Sequence, residues 1–323
     1  MPSNARLLLV DKDAVAHLLE PDAVLDAVRE AFILHSQSEG RVFPVVREAL
    51  STGGIFGIKS GDVPQQGLLG FKAAGFWPQN RVVGSEPHQA TILLIDPENG
   101  RPICLIDGNA ITTARTGAAG GVGLGLLARQ NSTSACVFGA GVQAQIQLEF
   151  ALRLMPTLTT VRYLTGIDAP SIAFERHFSG RCNLQFATDA NVAVSQSDLI
   201  ITATPGSGPL FDADAVRPGT HVNCVGADTK GKRELPPYLL QRARLFVDDK
   251  IQARSIGETQ WAPRTHCDEI GDVLTAKVHL NRQPTDITVF DMTGLALQDL
   301  TVARLIHRSA LQQGAGTSIA WPW

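Results

Sequence analysis

Ser134-Ala135-Cys136-Val137-Phe138-Gly139-Ala140-Gly141-Val142-Gln143-Ala144 is the stretch on which the reading of this chain turns. A short apolar run leads straight into Gly-x-Gly-x-x-Ala, and Gln145–Leu154 continues with helical character. A strand that bends sharply into a helix through two glycines and a small third residue is the turn on which open α/β sheets hold a dinucleotide. Gly139 permits the tight turn, Gly141 lets backbone N–H groups approach a pyrophosphate, and Ala144 lets the helix pack closely on the strand. The plain alternative is a tight turn in an α/β protein that binds no nucleotide. The downstream sequence favours the first reading. Short apolar segments at Val161–Leu164, Leu199–Ala203, His221–Val225, Leu245–Val247 and Thr288–Phe290 alternate with helical stretches, the grammar of a Rossmann-type doubly wound parallel sheet.

Upstream the pattern differs. A strand at Leu7–Val10 precedes an amphipathic helix over 22–35, in which Val24, Leu25, Val28, Ala31 and Phe32 recur at helical spacing. Strand-like pieces at 42–50, 55–60, 67–75 and 91–95 are separated by Gly, Pro and Asn, which suggests an antiparallel or mixed sheet. A small-residue helix is expected over 113–129, and a final amphipathic helix over 299–312 that returns to this first domain. The expected organisation is an α/β chain: an α+β domain from 1–130 and 300–323, and a dinucleotide-binding domain over 131–299.

With 323 residues, 44% apolar and 18% charged, the chain is long enough for two globular domains. A formal net charge of −3 gives no general attraction to nucleic acid or anionic membrane, so neither is expected as a partner. Five cysteines stand tens of residues apart with no C-x-x-C spacing, so no metal site is expected and they read as buried thiols in a reducing cytosol. The start from Met1 to Val10 has too short an apolar stretch for a signal peptide and meets Asp11, Lys12 and Asp13 at once, and no segment approaches the roughly 18 apolar residues of a membrane span. A cytoplasmic protein is the expectation.

The cofactor is read as NAD, with NADP left open. An NAD site usually carries an acidic residue after the second strand for the ribose hydroxyls. Here Asp168 stands slightly beyond that position, and no Arg directly follows the strand to grip a 2′-phosphate. Asp168 reads equally as a loop or cap carboxylate before Ala169-Pro170.

Five segments together resemble the ornithine cyclodeaminase/μ-crystallin family: His88–Leu94, Asp107-Gly108-Asn109-Ala110-Ile111-Thr112-Thr113-Ala114-Arg115-Thr116, Gly139–Ala144, Gly219–Asp228, and Gly294-Leu295-Ala296-Leu297-Gln298-Asp299. They span nearly the whole chain in the family's order. The resemblance implies a homodimer whose first domain holds the substrate and the dimer interface. It also implies chemistry at the Cα–N bond of a small amino or imino acid, with hydride passing to or from a nicotinamide. Cofactor contacts are implied at Arg115, Thr116, Gly139, Gly141, Val142, Gln143, Asp168, Thr204, Gly226 and Gly294.

Arg47, Lys72 and Arg115 fall at the family's substrate positions. An α-carboxylate has to be held with its Cα toward the nicotinamide, and the planar guanidinium fork suits two carboxylate oxygens. Lys72 can also move a proton if burial and cationic neighbours lower its pKa. Asp228, just past the His221–Val225 segment, is the expected general acid/base, with helix capping as its structural alternative. Its retention favours an enzyme over the binding proteins of μ-crystallin type.

A cyclodeaminase needs an acidic partner for ornithine's distal ammonium, and residues 49–56, where the family would supply it, contain no carboxylate. They are followed by Lys59, a cation outside the family pattern. Arg47, Lys59, Lys72 and Arg115 together exceed what one α-carboxylate requires. The sharper expectation is therefore reduction of an imino acid, with a dicarboxylate such as iminosuccinate, giving aspartate, preferred. A solvent-facing Lys59 would remove that preference. His88 and Gln89 fit substrate contact or strand entry equally, and Phe76-Trp77-Pro78 fits a pocket wall or an interface.

Overall fold

A computed structural model describes residues 5–321, so residues 1–4 and 322–323 lie outside the described residues. Residues up to Arg115, joined by Leu295 onward, form one compact unit, and Thr116–Gly294 forms a second. The sequence places these divisions at 130/131 and 299/300. The first falls earlier, inside the helix Gly108–Leu127, and the second five residues earlier.

The chain opens with β1 (Arg6–Val10), α1 (Lys12–Leu18) and α2 (Pro21–Ser36). Pro21 occupies the first turn of α2, where its missing N–H would have had no helical partner anyway. The long strand expected over 42–50 is two strands, β2 (Arg41–Val42) and β3 (Val46–Ala49). Pro44 lies between them and has no N–H for a ladder. Next come β4 (Ile55–Val63), β5 (Leu68–Phe76), β6 (His88–Ile95) and β7 (Pro102–Asp107), then α3 (Gly108–Leu127). The Asp107 side chain accepts from the Asn109 N–H at 3.2 Å, which satisfies one free donor at that helix start.

The second unit runs through β8 (Ser134–Phe138), α4 (Val142–Leu154), β9 (Thr160–Leu164), α5 (Ile172–Phe178), β10 (Asn183–Phe186), α6 (Ala190–Ser195), β11 (Leu199–Thr202) and β12 (His221–Cys224). It continues through α7 (Pro237–Arg242), β13 (Arg244–Val247), α8 (Lys250–Ile256), β14 (Cys267–Glu269), α9 (Ile270–Leu274) and β15 (Thr288–Asp291). The chain then rejoins the first unit as α10 (Ala296–Gln313) and β16 (Thr317–Ala320).

In the second unit the strand order is β10-β9-β8-β11-β12-β15-β13-β14, with every pair parallel. Helices cover a sheet of this kind on both faces, so its strands are continuously apolar: Ala135, Cys136, Val137, Ile200, Val222 and Val289 are at most 1% exposed. The order reverses between β8 and β11, the topological switch point at which such sheets bind ligands. The second unit is a Rossmann-type doubly wound domain.

The first unit's sheet runs β16-β1-β7-β6-β5-β4-β2, with β3 also paired to β4, and all its pairs except β1–β7 are antiparallel. One face carries α10, which packs on β4, β5, β6 and α2. In β6 the alternation is plain: Ala90, Ile92 and Leu94 are buried on that face. On the other face Leu9, Leu105, Leu93 and Phe71 form a cross-strand row and are each half-buried. The tail is not an idle extension, since β16 pairs antiparallel with β1. Among the described residues no helix is long and apolar enough to cross a membrane.

Candidate functional site

The first unit buries a charge cluster under the start of α10. Lys72 belongs to the buried series Leu68, Gly70, Lys72 of β5 and is 4% exposed. Its Nζ donates to Asp299 Oδ1 at 2.8 Å and to Thr112 Oγ1 at 3.2 Å. Arg115 Nε donates to the same Asp299 oxygen at 3.1 Å, and its Nη1 to Gln298 Oε1 at 3.3 Å. Thr112 and Arg115 lie three residues apart on α3 and so share a helix face. Asp299 stands in the first turn of α10, where the helix dipole favours a carboxylate. Two buried atoms of this cluster, Asp299 Oδ2 and Gln298 Nε2, have no hydrogen-bond partner.

Strand register brings further cations to the same face. Directly opposed residues of antiparallel strands share a face. Lys59 of β4 opposes Lys72, which in turn opposes Ile92. Lys59 therefore belongs to the buried-face row and is half-buried. Two residues along, Arg47, Gly57, Ala74 and Ala90 form the neighbouring row. Arg47 shares the face and is exposed. Gly57, Ala74 and Ala90 leave a low floor beside the Lys59–Lys72 row. On the other side, α10 presses close: a Cβ on Gly70 would stand 3.0 Å from Leu300 Cδ2.

Burial lowers the Lys72 pKa to about 7 against the raising effect of Asp299, with the charges of Arg115 and Lys59 lowering it further. Burial acts to raise the Asp299 carboxyl, but Lys72 and Arg115 bring it below the ordinary carboxylate range. Lys72 thus exchanges its proton near neutrality beside a carboxylate that stays ionised. His88 lies on the same face, on the row through Phe76 and Ile55, with Nδ1 3.1 Å from Asn109 Oδ1. Burial and then Lys72 lower its pKa. Gln89 points to the opposite face and donates to the Glu86 carbonyl at 2.9 Å. Phe76 shares the buried-side face of β5 at its exposed end, and a Cβ on Gly75 would stand 2.7 Å from the Trp77 ring.

In the second unit the Gly139–Ala144 turn has the geometry its sequence calls for. Gly139 has φ +106°, and a Cβ there would lie 2.6 Å from the Ala203 carbonyl oxygen. Gly141 is the N-cap of α4 and no side chain caps the helix, so the first N–H groups remain open to an anion. Around Gly141 a Cβ would meet nothing within 4 Å, and Ala144 is fully buried. Val142 is 59% exposed at the mouth of this turn, and Gln143 Oε1 is buried without a partner. An uncapped helix start and an open glycine fit a dinucleotide pyrophosphate.

The other positions take varied roles. Asp168 sits exposed beyond β9 with φ +49°. Thr116 is buried and its carbonyl accepts from Gln147 Nε2 at 2.7 Å. Thr204 and Gly226 follow β11 and β12, and both are held by the Glu234 carboxylate. Gly294 has φ +80°, and its N–H donates to Asp248 Oδ2. Asp228 is half-exposed beyond β12 and pairs with Lys232 at 2.9 Å, while Thr229 Oγ1 donates to it at 3.1 Å.

Asp299, Gln298 and Thr112 are not singled out by the sequence reading, although each stands inside a quoted motif. A signal was available in Asp299: a carboxylate at the start of an amphipathic helix that returns to the domain carrying Arg47, Lys59, Lys72 and Arg115. Glu234 stands in no quoted motif.

The family model described as ornithine cyclodeaminase/mu-crystallin family matches residues 7–314. The iminosuccinate reductase of Paracoccus denitrificans is 32% identical over 320 residues, which cover 97% of this chain and 99% of that protein. Its structure in complex with NAD+ superposes with a TM-score of 0.90 at 31% identity, covering 98% of this chain and 100% of that one. An archaeal alanine dehydrogenase dimer with bound NAD gives a TM-score of 0.92 at 31% identity, again covering 98% and 100%. The Thermococcus litoralis Δ1-pyrroline-2-carboxylate reductase, in complex with NADH and L-proline, gives 0.90 at 27% identity, covering 97% of this chain and 100% of that one. With its motifs in order, its glycine turn at the switch point and a family match over almost its entire length, this chain belongs to the ornithine cyclodeaminase/mu-crystallin family.

Proposed function

We propose that the protein is an NAD(H)-dependent reductase of a small α-imino acid, with a dicarboxylate such as iminosuccinate as the preferred substrate and aspartate as the product. The observation that carries this reading is the cluster of Lys59, Lys72 and Arg115 on one buried face beside the Asp299 carboxylate. With Arg47 in the adjoining row, the face holds more positive charge than a monocarboxylate balances. A second substrate carboxylate suits such a face, because an anion placed beside partly desolvated cations makes strong charge-assisted hydrogen bonds. The relatives are named for iminosuccinate, alanine and Δ1-pyrroline-2-carboxylate, and their complexes hold NAD+, NAD or NADH, which supports imino-acid reduction.

The bound nicotinamide would supply hydride to the imine carbon. The residues proposed to hold the dinucleotide are Gly139, Gly141, Val142 and Gln143 at the pyrophosphate, Asp168 at a ribose, and Arg115, Thr116, Thr204, Gly226 and Gly294 around the rest. Arg115, Arg47 and Lys59 orient the carboxylates. Lys72, titrating near neutrality, carries a proton, and Asp228 serves as general acid/base toward the substrate nitrogen. Asp299 Oδ2 and Gln298 Nε2 are the acceptor and donor left for substrate or water.

The Asp299 charge is already shared by two cations, Lys72 and Arg115, which weighs against its serving as counter-ion to ornithine's distal ammonium and so against the cyclodeaminase reading. The half-buried row Leu9, Leu105, Leu93 and Phe71 is proposed to be covered in a homodimer, and a monomeric mass in solution would contradict that assignment. The functional test follows NADH and NADPH consumption with ammonium plus oxaloacetate or pyruvate, and ammonia release from ornithine. Consumption that is fastest with oxaloacetate is expected. Ammonia from ornithine without net cofactor change would establish a cyclodeaminase instead, and cofactor binding without turnover a binding protein.

A further inference from the structure

Four carboxylates lie at the carboxyl ends of the second unit's strands: Glu234, Asp248, Glu258 and Asp291, each at most 1% exposed. Buried carboxylates are costly, and they persist where they organise donors that would otherwise go unbonded. Glu234 organises two loops at once. Its Oε1 accepts from the Thr204 N–H at 2.6 Å and from Thr204 Oγ1 at 2.7 Å, and its Oε2 accepts from the Gly226 N–H at 2.9 Å. Thr204 leaves β11 and Gly226 leaves β12, so one side chain spans the exits of neighbouring strands at the ligand-binding edge of the sheet.

The backbone around Glu234 reinforces this tie. Leu210 N–H donates to the Glu234 carbonyl at 2.8 Å, and Ser207 bridges Arg233 in parallel. The junction is closed: a Cβ on Gly226 would run into both the Thr204 carbonyl and the Glu234 carboxyl. Behind it the Glu234 N–H donates to Glu258 Oε1 at 2.6 Å, and the Glu258 N–H to Asp291 Oδ1 at 3.0 Å.

We propose that Glu234 is a positioning residue for the dinucleotide, its carboxylate fixing the Thr204 and Gly226 loops at the spacing that the cofactor requires. This rests on the dinucleotide reading above, yet the residue itself need touch neither cofactor nor substrate. Burial pushes Glu258 up to about 9, with Asp291 and Glu234 adding to it, so Glu258 keeps its proton at neutral pH and spares Glu234 a charged neighbour. The groups facing this pair are Asp291, raised to about 6 by burial, and the Cys224 thiol, raised well above its ordinary value. Above pH 9, ionised Glu258 repels Glu234 and Asp291 and loosens the junction.

The test compares wild type with Glu234→Gln and Glu258→Gln in NADH titrations and steady-state kinetics. Glu234→Gln keeps the shape but replaces one acceptor with a donor against N–H groups. It should raise both Kd and KM for NADH about tenfold or more, while leaving KM for the 2-oxo acid within twofold and the far-ultraviolet circular dichroism unchanged. Glu258→Gln, isosteric with the protonated acid, should bind NADH like wild type at pH 7 and lose the weakening that wild type shows above pH 9. NADH affinity within twofold of wild type in folded Glu234→Gln would overturn the proposal, as would parallel loss of affinity for NADH and 2-oxo acid. Wild type binding neither NADH nor NADPH would instead overturn the dinucleotide reading, and this inference with it.

Discussion

Replacing Asp299 by Asn tests the buried cluster most severely, because it removes one charge and almost no volume. Asp299 Oδ1 lies 2.8 Å from Lys72 Nζ and 3.1 Å from Arg115 Nε, and the residue is 1% exposed. Removing one partner of a buried pair typically costs about 3–5 kcal/mol, because the remaining charge stays desolvated. In a unit of roughly 150 residues each kcal/mol corresponds to about 2–4 °C, so the unfolding midpoint should fall by roughly 6–20 °C.

The loss should depend on pH in a stated direction. Lys72 in the folded protein sits at about 7, below its ordinary 10.5, so the unfolded chain binds that proton more tightly and stability rises as pH climbs from about 7 toward 10.5. Asp299 raises the Lys72 pKa, so in Asp299→Asn it drops further and Lys72 is neutral by pH 9. The destabilisation is then largest at pH 6 and smaller at pH 9, where Lys72 is neutral and the lost ion pair is the one with Arg115. Thermal unfolding by circular dichroism at pH 6, 7.5 and 9 reads both quantities. A loss under 2 °C at pH 6, or an equal loss at all three values, would refute this picture of the cluster.

Three further outcomes are expected. Lys59→Met should lower kcat/KM with oxaloacetate and ammonium about tenfold or more and leave pyruvate and ammonium nearly unchanged; equal losses would remove the basis for a dicarboxylate. Gly139→Ala should weaken NADH binding at least tenfold in fluorescence titration, since φ +106° and a Cβ 2.6 Å from the Ala203 oxygen both oppose it. Asp228→Asn should lower kcat by roughly 10²–10⁴ with unaltered NADH affinity if the carboxylate moves a proton, whereas loss of NADH affinity alone would reduce Asp228 to its pairing with Lys232.

How much of this was legible in the residues depended on range. The Gly139–Ala144 turn is local: a strand, a positive-φ glycine and a helix start follow one another in eleven residues, so order alone exposes it. The short strands β10 and β14 were not expected, because Asn183-Leu184-Gln185-Phe186 and Cys267-Asp268-Glu269 mix polar residues into runs of four and three. Lys59 was legible as a cation but not as a neighbour of Lys72, since that depends on the β4–β5 register. Asp299 meets Lys72 across 227 positions, and Glu234 meets Thr204 across 30. Pairings of that span leave no periodic trace.

The most direct measurement of the central claim uses NADH deuterated at the transferring position of its nicotinamide. The enzyme is given ammonium and oxaloacetate, and the product is analysed by mass spectrometry and proton NMR. Imine reduction predicts aspartate with one deuterium on Cα and consumption of NADH in equal amount. Deuterium in a 2-hydroxy acid, or unlabelled product with NADH untouched, would contradict it.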